Sequence, residues 1–122
     1  MRSGRRALSY AVAAAPVIAL STIAACTGTA GPGSQDVGAP CSADSQCEDR
    51  CFKSAEFADG MCSRICRVDQ DCPIGSACVE NGGGFCAVSC QAPVDCSGFG
   101  AGWTCSLKAD AGGGQALVCR IP

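Results

Sequence analysis

Twelve of this chain's thirteen cysteines fall into three successive groups of four, and that pattern constrains the fold more than any other property of its 122 residues. From Cys41 the groups read CSADSQCEDRCFKSAEFADGMC, CRVDQDCPIGSACVENGGGFC and CQAPVDCSGFGAGWTCSLKADAGGGQALVC. Each opens C-x5-C, and three residues, SRI and then AVS, separate one group from the next. The starts lie 25 and 24 residues apart, a period typical of stacked or arrayed modules. An even number of cysteines per repeat lets each unit close on itself through disulfides in an oxidising compartment.

The same stretch is poor in material for a conventional core. Between Cys41 and Cys119 stand nine Ile, Val or Leu, five aromatics and Met61. So few side chains hardly offset about 1.5 kcal/mol of conformational entropy per ordered residue. Disulfides, at about 3 kcal/mol for loops of this size, have to close the gap, and without them no fold is expected. Zinc is the main alternative use of dense cysteine. Structural zinc sites usually carry a C-x2-C knuckle and often His, and the chain has neither. No metal and no other cofactor is expected.

Between the third and fourth cysteine of every unit lies a turn signal flanked by apolar residues. These are Asp59-Gly60 between Phe57 and Met61, Asn81-Gly82-Gly83-Gly84 between Val79 and Phe85, and Asp110 to Gly114 between Leu107 and Leu117. Asp-Gly and Asn-Gly suit hairpin positions of positive φ. The expected fold class is small and disulfide-rich: three tandem four-cysteine units, 41–65, 66–89 and 90–122, each with a short β-hairpin and little helix.

Acids recur within the opening C-x5-C. Asp44 and Asp69 stand third after the first Cys, and Asp71 and Asp95 stand last before the second. Calcium is one reading, since Asp69-x-Asp71 with Glu80 in twelfth place mimics the ends of an EF-hand loop. Its middle departs, with Pro73 in a ligand place and Ile74 where Gly belongs. The other reading is that short Asp side chains accept backbone N–H bonds in tight turns, and it is favoured.

The segments PCSADSQCEDRC and CRVDQDCPIGSAC resemble the Dickkopf N-terminal cysteine-rich domain, over roughly two thirds of the chain after the N-terminal segment. The resemblance implies crosswise pairing, first cysteine with third and second with fourth. Carried over, it gives Cys41-Cys51, Cys47-Cys62, Cys66-Cys78, Cys72-Cys86, Cys90-Cys105 and Cys96-Cys119. The third unit departs most, lacking the first Asp and carrying a longer Gly-rich loop. What the resemblance implies is a scaffold, because function belongs to sites and not to folds.

The thirteenth cysteine, Cys26, follows MRSGRR and nineteen uncharged residues, the pattern of a secretory signal. An uncleaved transmembrane anchor is the alternative, weakened by Pro16 and by the predominance of Ala. Ile23-Ala24-Ala25-Cys26 resembles the lipobox of bacterial lipoproteins. That resemblance implies cleavage of a signal peptide 1–25, a diacylglyceryl group on the Cys26 thiol and an acylated new amino terminus. Two or more chains anchor a protein stably in a membrane. A plain secretory cut after Ala30 is the other version. Thr27, where the enteric lipoprotein pattern has Asp for inner-membrane retention, implies the outer membrane of a bacterial cell envelope. Residues 26–40, small and polar with two Pro, are expected to form a flexible tether.

Enzyme chemistry needs a poised nucleophile or acid–base pair. With no His and every later Cys needed for pairing, none is expected. Beyond the signal, six Lys and Arg stand against eleven Asp and Glu, a net charge of −5, which disfavours nucleic acid. Two classes remain: a module that binds an envelope or extracellular protein or glycan, and a passive spacer or coat component. SGFGAGWTC, residues 97–105, bears on the choice. Phe99 and Trp103 alternate with glycines there and are the candidate partner-binding residues. The alternative for Trp103 is packing over the disulfides.

Overall fold

The computed structural model describes residues 29–122; the signal segment, Cys26 and the start of the tether lie outside the described residues. Six strands pair into three antiparallel hairpins, one per unit: β1 (Arg50–Phe52) with β2 (Met61–Ser63), β3 (Ser76–Glu80) with β4 (Gly84–Val88), and β5 (Thr104–Ala109) with β6 (Gln115–Arg120). Helix is confined, among the described residues, to four short 3-10 segments. Three of them, Asp44–Gln46, Asp69–Asp71 and Pro93–Phe99, fold the opening loop of a unit.

Six disulfides close the units internally: Cys41–Cys51, Cys47–Cys62, Cys66–Cys78, Cys72–Cys86, Cys90–Cys105 and Cys96–Cys119. In each unit the third and fourth cysteines sit opposite one another across the hairpin: Cys51 and Cys62, Cys78 and Cys86, Cys105 and Cys119. Opposed residues of an antiparallel pair share a face, so both bridges leave the hairpin on one side. There they anchor the opening loop. Three sulfur atoms of each unit, such as those of Cys66, Cys72 and Cys86, lie within 4.8 Å of one another.

A backbone bond repeats with this geometry. The N–H of each first cysteine donates to the carbonyl two residues before the fourth: Cys41 to Gly60 at 3.2 Å, Cys66 to Gly84 at 3.0 Å and Cys90 to Leu117 at 3.1 Å. In the first two units the returning chain comes so close that a Cβ on Gly60 would lie 2.0 Å from the Cys41 carbonyl oxygen, and one on Gly84 2.1 Å from that of Cys66. Gly60 is therefore required by close approach. Positive φ in that turn falls instead on Ala58 (53°) and Asp59 (60°).

The middle hairpin is buried on both faces. Ala77, Val79, Phe85 and Ala87 share one face by register and pack with Phe57 and Met61 of the first unit and Val118 of the third. Cys78 and Cys86 occupy the other face, in a cluster with Val37, Cys66, Val88, Cys90, Cys96 and Cys119. Strict period-2 alternation thus separates an apolar layer from a disulfide layer. The residues between units are not slack connectors. Ser63 and Ala87 are buried within β2 and β4, and the Ser63 hydroxyl donates to the Cys86 carbonyl.

The tether expected over 26–40 is corrected from Ala30 onward, where the chain is built into the body. Ala30 N–H donates to the Ile74 carbonyl at 2.9 Å, Gly38 N–H to the Cys62 carbonyl at 2.9 Å, and Cys62 N–H to the Ala39 carbonyl at 2.8 Å. Val37 is fully buried, and the nearly buried Asp36 carboxylate accepts two hydrogen bonds from Arg64. Asp36 holds the Arg64 guanidinium pKa above its ordinary value through these bonds. Polar, Pro-containing composition reads as linker, but a single apolar residue and a paired acid suffice to dock it.

Gly84→Ala is expected to lower stability by about 2–3 kcal/mol through overpacking against the Cys66 carbonyl. Leu117→Ala, at the equivalent place where a Cβ is already tolerated, should cost clearly less. Thermal unfolding of the oxidised protein measures both; equal losses would show that close approach is not what selects glycine.

Candidate functional site

The recurrent acids are taken up by the opening loops. Asp71 Oδ2 accepts the N–H groups of Arg67 (2.9 Å) and Val68 (3.3 Å), and Asp95 Oδ2 those of Gln91 (2.8 Å) and Ala92 (3.1 Å). Gln46 Oε1 does the same for Ser42 and Ala43 in the first unit, a role its residue type had hidden. Asp44 and Asp69 reach the other way, each Oδ1 accepting the N–H of its unit's third cysteine, Cys51 at 2.8 Å and Cys78 at 2.9 Å. These acids are the turn acceptors anticipated from their spacing. Pro93 stands in the corresponding place of the third unit and has no side-chain acceptor to offer.

Hydrogen bonding to the ionised form sets the Asp71 and Asp95 carboxyls below their ordinary values. For Asp71 the Arg67 N–H is the main cause, and for Asp95 the Gln91 N–H. Glu56 is lowered as well, chiefly by its hydrogen bond from Lys108 and then by the charges of Lys108 and Arg120. Lys108 Nζ lies 2.8 Å and Arg120 Nη1 2.6 Å from its carboxylate, so Glu56 clamps the third hairpin to the first unit.

Phe99 and Trp103 come together in the third unit's long loop. Their rings stack with centroids 4.6 Å apart at 24°. Both remain half-buried. Trp103 packs against the apolar layer and the disulfide layer alike, and its ring centroid lies 6.2 Å from that of Phe57. Phe57 in turn meets Phe85 edge-on at 5.0 Å, and Phe85 stacks on Phe52 at 5.2 Å. All five aromatic side chains of the described residues form one row through the three units.

The outer end of that row opens into an apolar cleft of about 160 Å³. Pro32 and Pro40 line it from the N-terminal segment, Ala58 and Met61 from the first unit, and Phe99 and Trp103 from the third. The sequence singles out only the two aromatics. The other four lie up to 71 residues away from Trp103 in the chain, and no local signal marks them as neighbours. An apolar wall with partly exposed aromatic rings suits a ligand with flat apolar or C–H surface, such as a sugar ring or a proline-containing peptide. Comparison with family models, curated proteins and solved structures finds no match.

Two outcomes follow. Trp103→Ala is expected to lower stability by about 2–3 kcal/mol, because the ring joins two buried layers, while the six disulfides are reduced by a dilute dithiol under native conditions no faster than in the wild type. Faster reduction would show that Trp103 shields the bridges themselves. The depressed carboxyls set the pH response. Their folded values lie below the unfolded ones, so their contribution is complete above about pH 4.5 and is lost as pH falls through the folded values. Melting temperature should therefore be flat above that pH and fall below it. The fall should be shallower for a variant carrying both Asp71→Asn and Asp95→Asn.

Proposed function

We propose that this chain is a membrane-anchored bacterial lipoprotein, lipidated on Cys26, that presents a non-catalytic, disulfide-rich interaction module at the cell envelope. The observation that carries the interaction reading is the cleft at Phe99 and Trp103, an apolar hollow with half-exposed aromatic rings held on a cross-linked base. Rigid aromatics lose little side-chain entropy when they are covered, which makes them efficient anchors for a partner. The partner class is an envelope or extracellular protein or glycan. The acids seen in the opening loops are engaged with backbone amides, which favours a structural role for them over a catalytic one.

The lipid anchor rests on the lipobox-like Ile23-Ala24-Ala25-Cys26 and on the cysteine count. With twelve cysteines bridged in pairs, Cys26 is the one left over. Packing of Ala30 against the disulfide layer and its bond to Ile74 favour a cut before Cys26 over one after Ala30, which would delete that contact. The outer membrane is the proposed location. A passive spacer or coat component is the second reading, favoured by the share of Trp103 that serves the core.

Metabolic labelling with a fatty acid is expected to mark the wild type and to leave Cys26→Ala unlabelled; equal label in both would remove the anchor. Phe99 separates binder from spacer better than Trp103 does, since it packs at the end of the aromatic row against the disulfide layer alone and does not join the two layers. Phe99→Ala should reduce cross-linking to envelope protein or glycan on intact cells about tenfold, the equivalent of about 1.4 kcal/mol, while lowering the melting temperature clearly less than Trp103→Ala does. Undiminished cross-linking would favour the spacer.

A further inference from the structure

We infer that the folded body is seated directly on the bilayer surface, with the base of the middle hairpin and the side chain of Ile74 in the membrane interface. This rests on the lipidation of Cys26 proposed above. The composition of residues 26–40 suggests a leash that would hold the body well clear of the lipid. The packed segment leaves no such leash. Ala30 is already fixed by its bond to the Ile74 carbonyl, and from there Gly31, Gly38 and Cys62 continue the hydrogen bonding into the first unit. Between Cys26 and Ala30 stand only Thr27, Gly28 and Thr29. Four Cα steps reach at most about 14 Å, whatever their conformation. The polar region of one leaflet already takes up about 5–8 Å of that distance.

The surface at this point of attachment carries exposed apolar side chains, with Ile74 at the edge of a polar hollow lined by Asp36, Arg64, Gln70 and Asp71. Ile74, 74% exposed, is the residue whose carbonyl receives the Ala30 amide. Val94, 72% exposed, lies in the 3-10 segment Pro93–Phe99, and Pro32 packs against Gly98 of that same segment. Scattered exposed apolar side chains need no explanation in themselves. Here the two most exposed large ones among the described residues, Ile74 in the turn before β3 and Val94 in the 3-10 segment, lie on the two stretches that the N-terminal segment touches. Embedding them removes apolar area from water just where the lipid anchor brings the bilayer within reach.

Charge works the other way. The body carries −5 overall, and Asp71 stands three residues from Ile74 with its carboxylate engaged by the Arg67 and Val68 amides. An anionic membrane repels such a body, so the seating depends on the short covalent connection and not on free affinity for lipid. Two geometric consequences follow. The turn at Asn81, reached along β3, points about 17 Å further from the base. The cleft, lined by Pro32 two residues beyond Ala30, is kept near the headgroups, which narrows its partner to molecules present at that surface.

The test uses full-length protein from a bacterial host, with lipid on Cys26 established by intact mass and reconstitution into vesicles of phosphatidylethanolamine and phosphatidylglycerol. Ile74, or in a second preparation Asn81, is replaced by an environment-sensitive fluorescent amino acid, and quenching by brominated lipid is read. Quenching at position 74 should exceed that at position 81 by about twofold or more. A Gly/Ser spacer of about 20 residues inserted after Gly28, adding roughly 25 Å of reach, should abolish the difference. Equal quenching at both positions in lipidated protein, or a difference that survives the spacer, overturns the seating alone. Protein of unlipidated mass overturns the lipoprotein reading and the seating with it.

Discussion

Everything in this molecule hangs on the placement of the third and fourth cysteines opposite one another on a hairpin. Because opposed residues share a face, Cys51 with Cys62, Cys78 with Cys86 and Cys105 with Cys119 send both bridges of a unit to the same side. The opening loop is thereby pressed onto the strands. That pressure brings the first cysteine's amide onto the carbonyl two residues before the fourth. It also lets Asp44 and Asp69 reach the amide of the third cysteine. A loop of five residues between cysteines has little else to hold it. The covalent link supplies proximity, and short polar side chains then satisfy backbone groups that would otherwise face each other unpaired.

The units close separately but do not pack separately. The middle hairpin lends one face to the disulfide layer and the other to an apolar layer contributed by all three units. Five aromatics in a row, a buried serine bonded to the next unit and the clamp of Lys108 and Arg120 on Glu56 tie the repeats together. A chain with few large apolar residues thus obtains a core by pooling them. No single unit owns enough to bury a face, and burial rises with the size of the pooled body.

That pooling also forms the cleft on which the proposed interaction rests. The cleft exists because the N-terminal segment, the first unit's turn and the third unit's long loop converge at the end of the aromatic row. Its walls are carried on a cross-linked frame, which would leave little ordering to oppose the proposed binding. Trp103 illustrates the compromise: one part of the ring joins the two layers while another faces the cleft.

Much of this was legible in the chain. The cysteine spacing predicts three closed units, the Asp-Gly and Asn-Gly signals predict their hairpins, and the recurrence of acids predicts turn acceptors, because each depends on residues only a few positions apart. Glycine at Gly60 and Gly84 was visible as well, but its reason was not. Positive φ is a local property, whereas the approach of a carbonyl from the far end of the unit is not. Residues 30–40 read as linker because composition reports the average character of a segment. Docking depends on one Val finding a cavity and one Asp finding Arg64, 28 residues on. The sequence by itself determined the closure of the cysteines within three units and the hairpins, since both are set by short-range spacing and turn chemistry, while the crosswise pairing within each unit was what the family resemblance implied. Only the tertiary structure decided the shared core, the packed N-terminal segment and the cleft, because each is made by side chains that distance in the chain keeps from announcing one another.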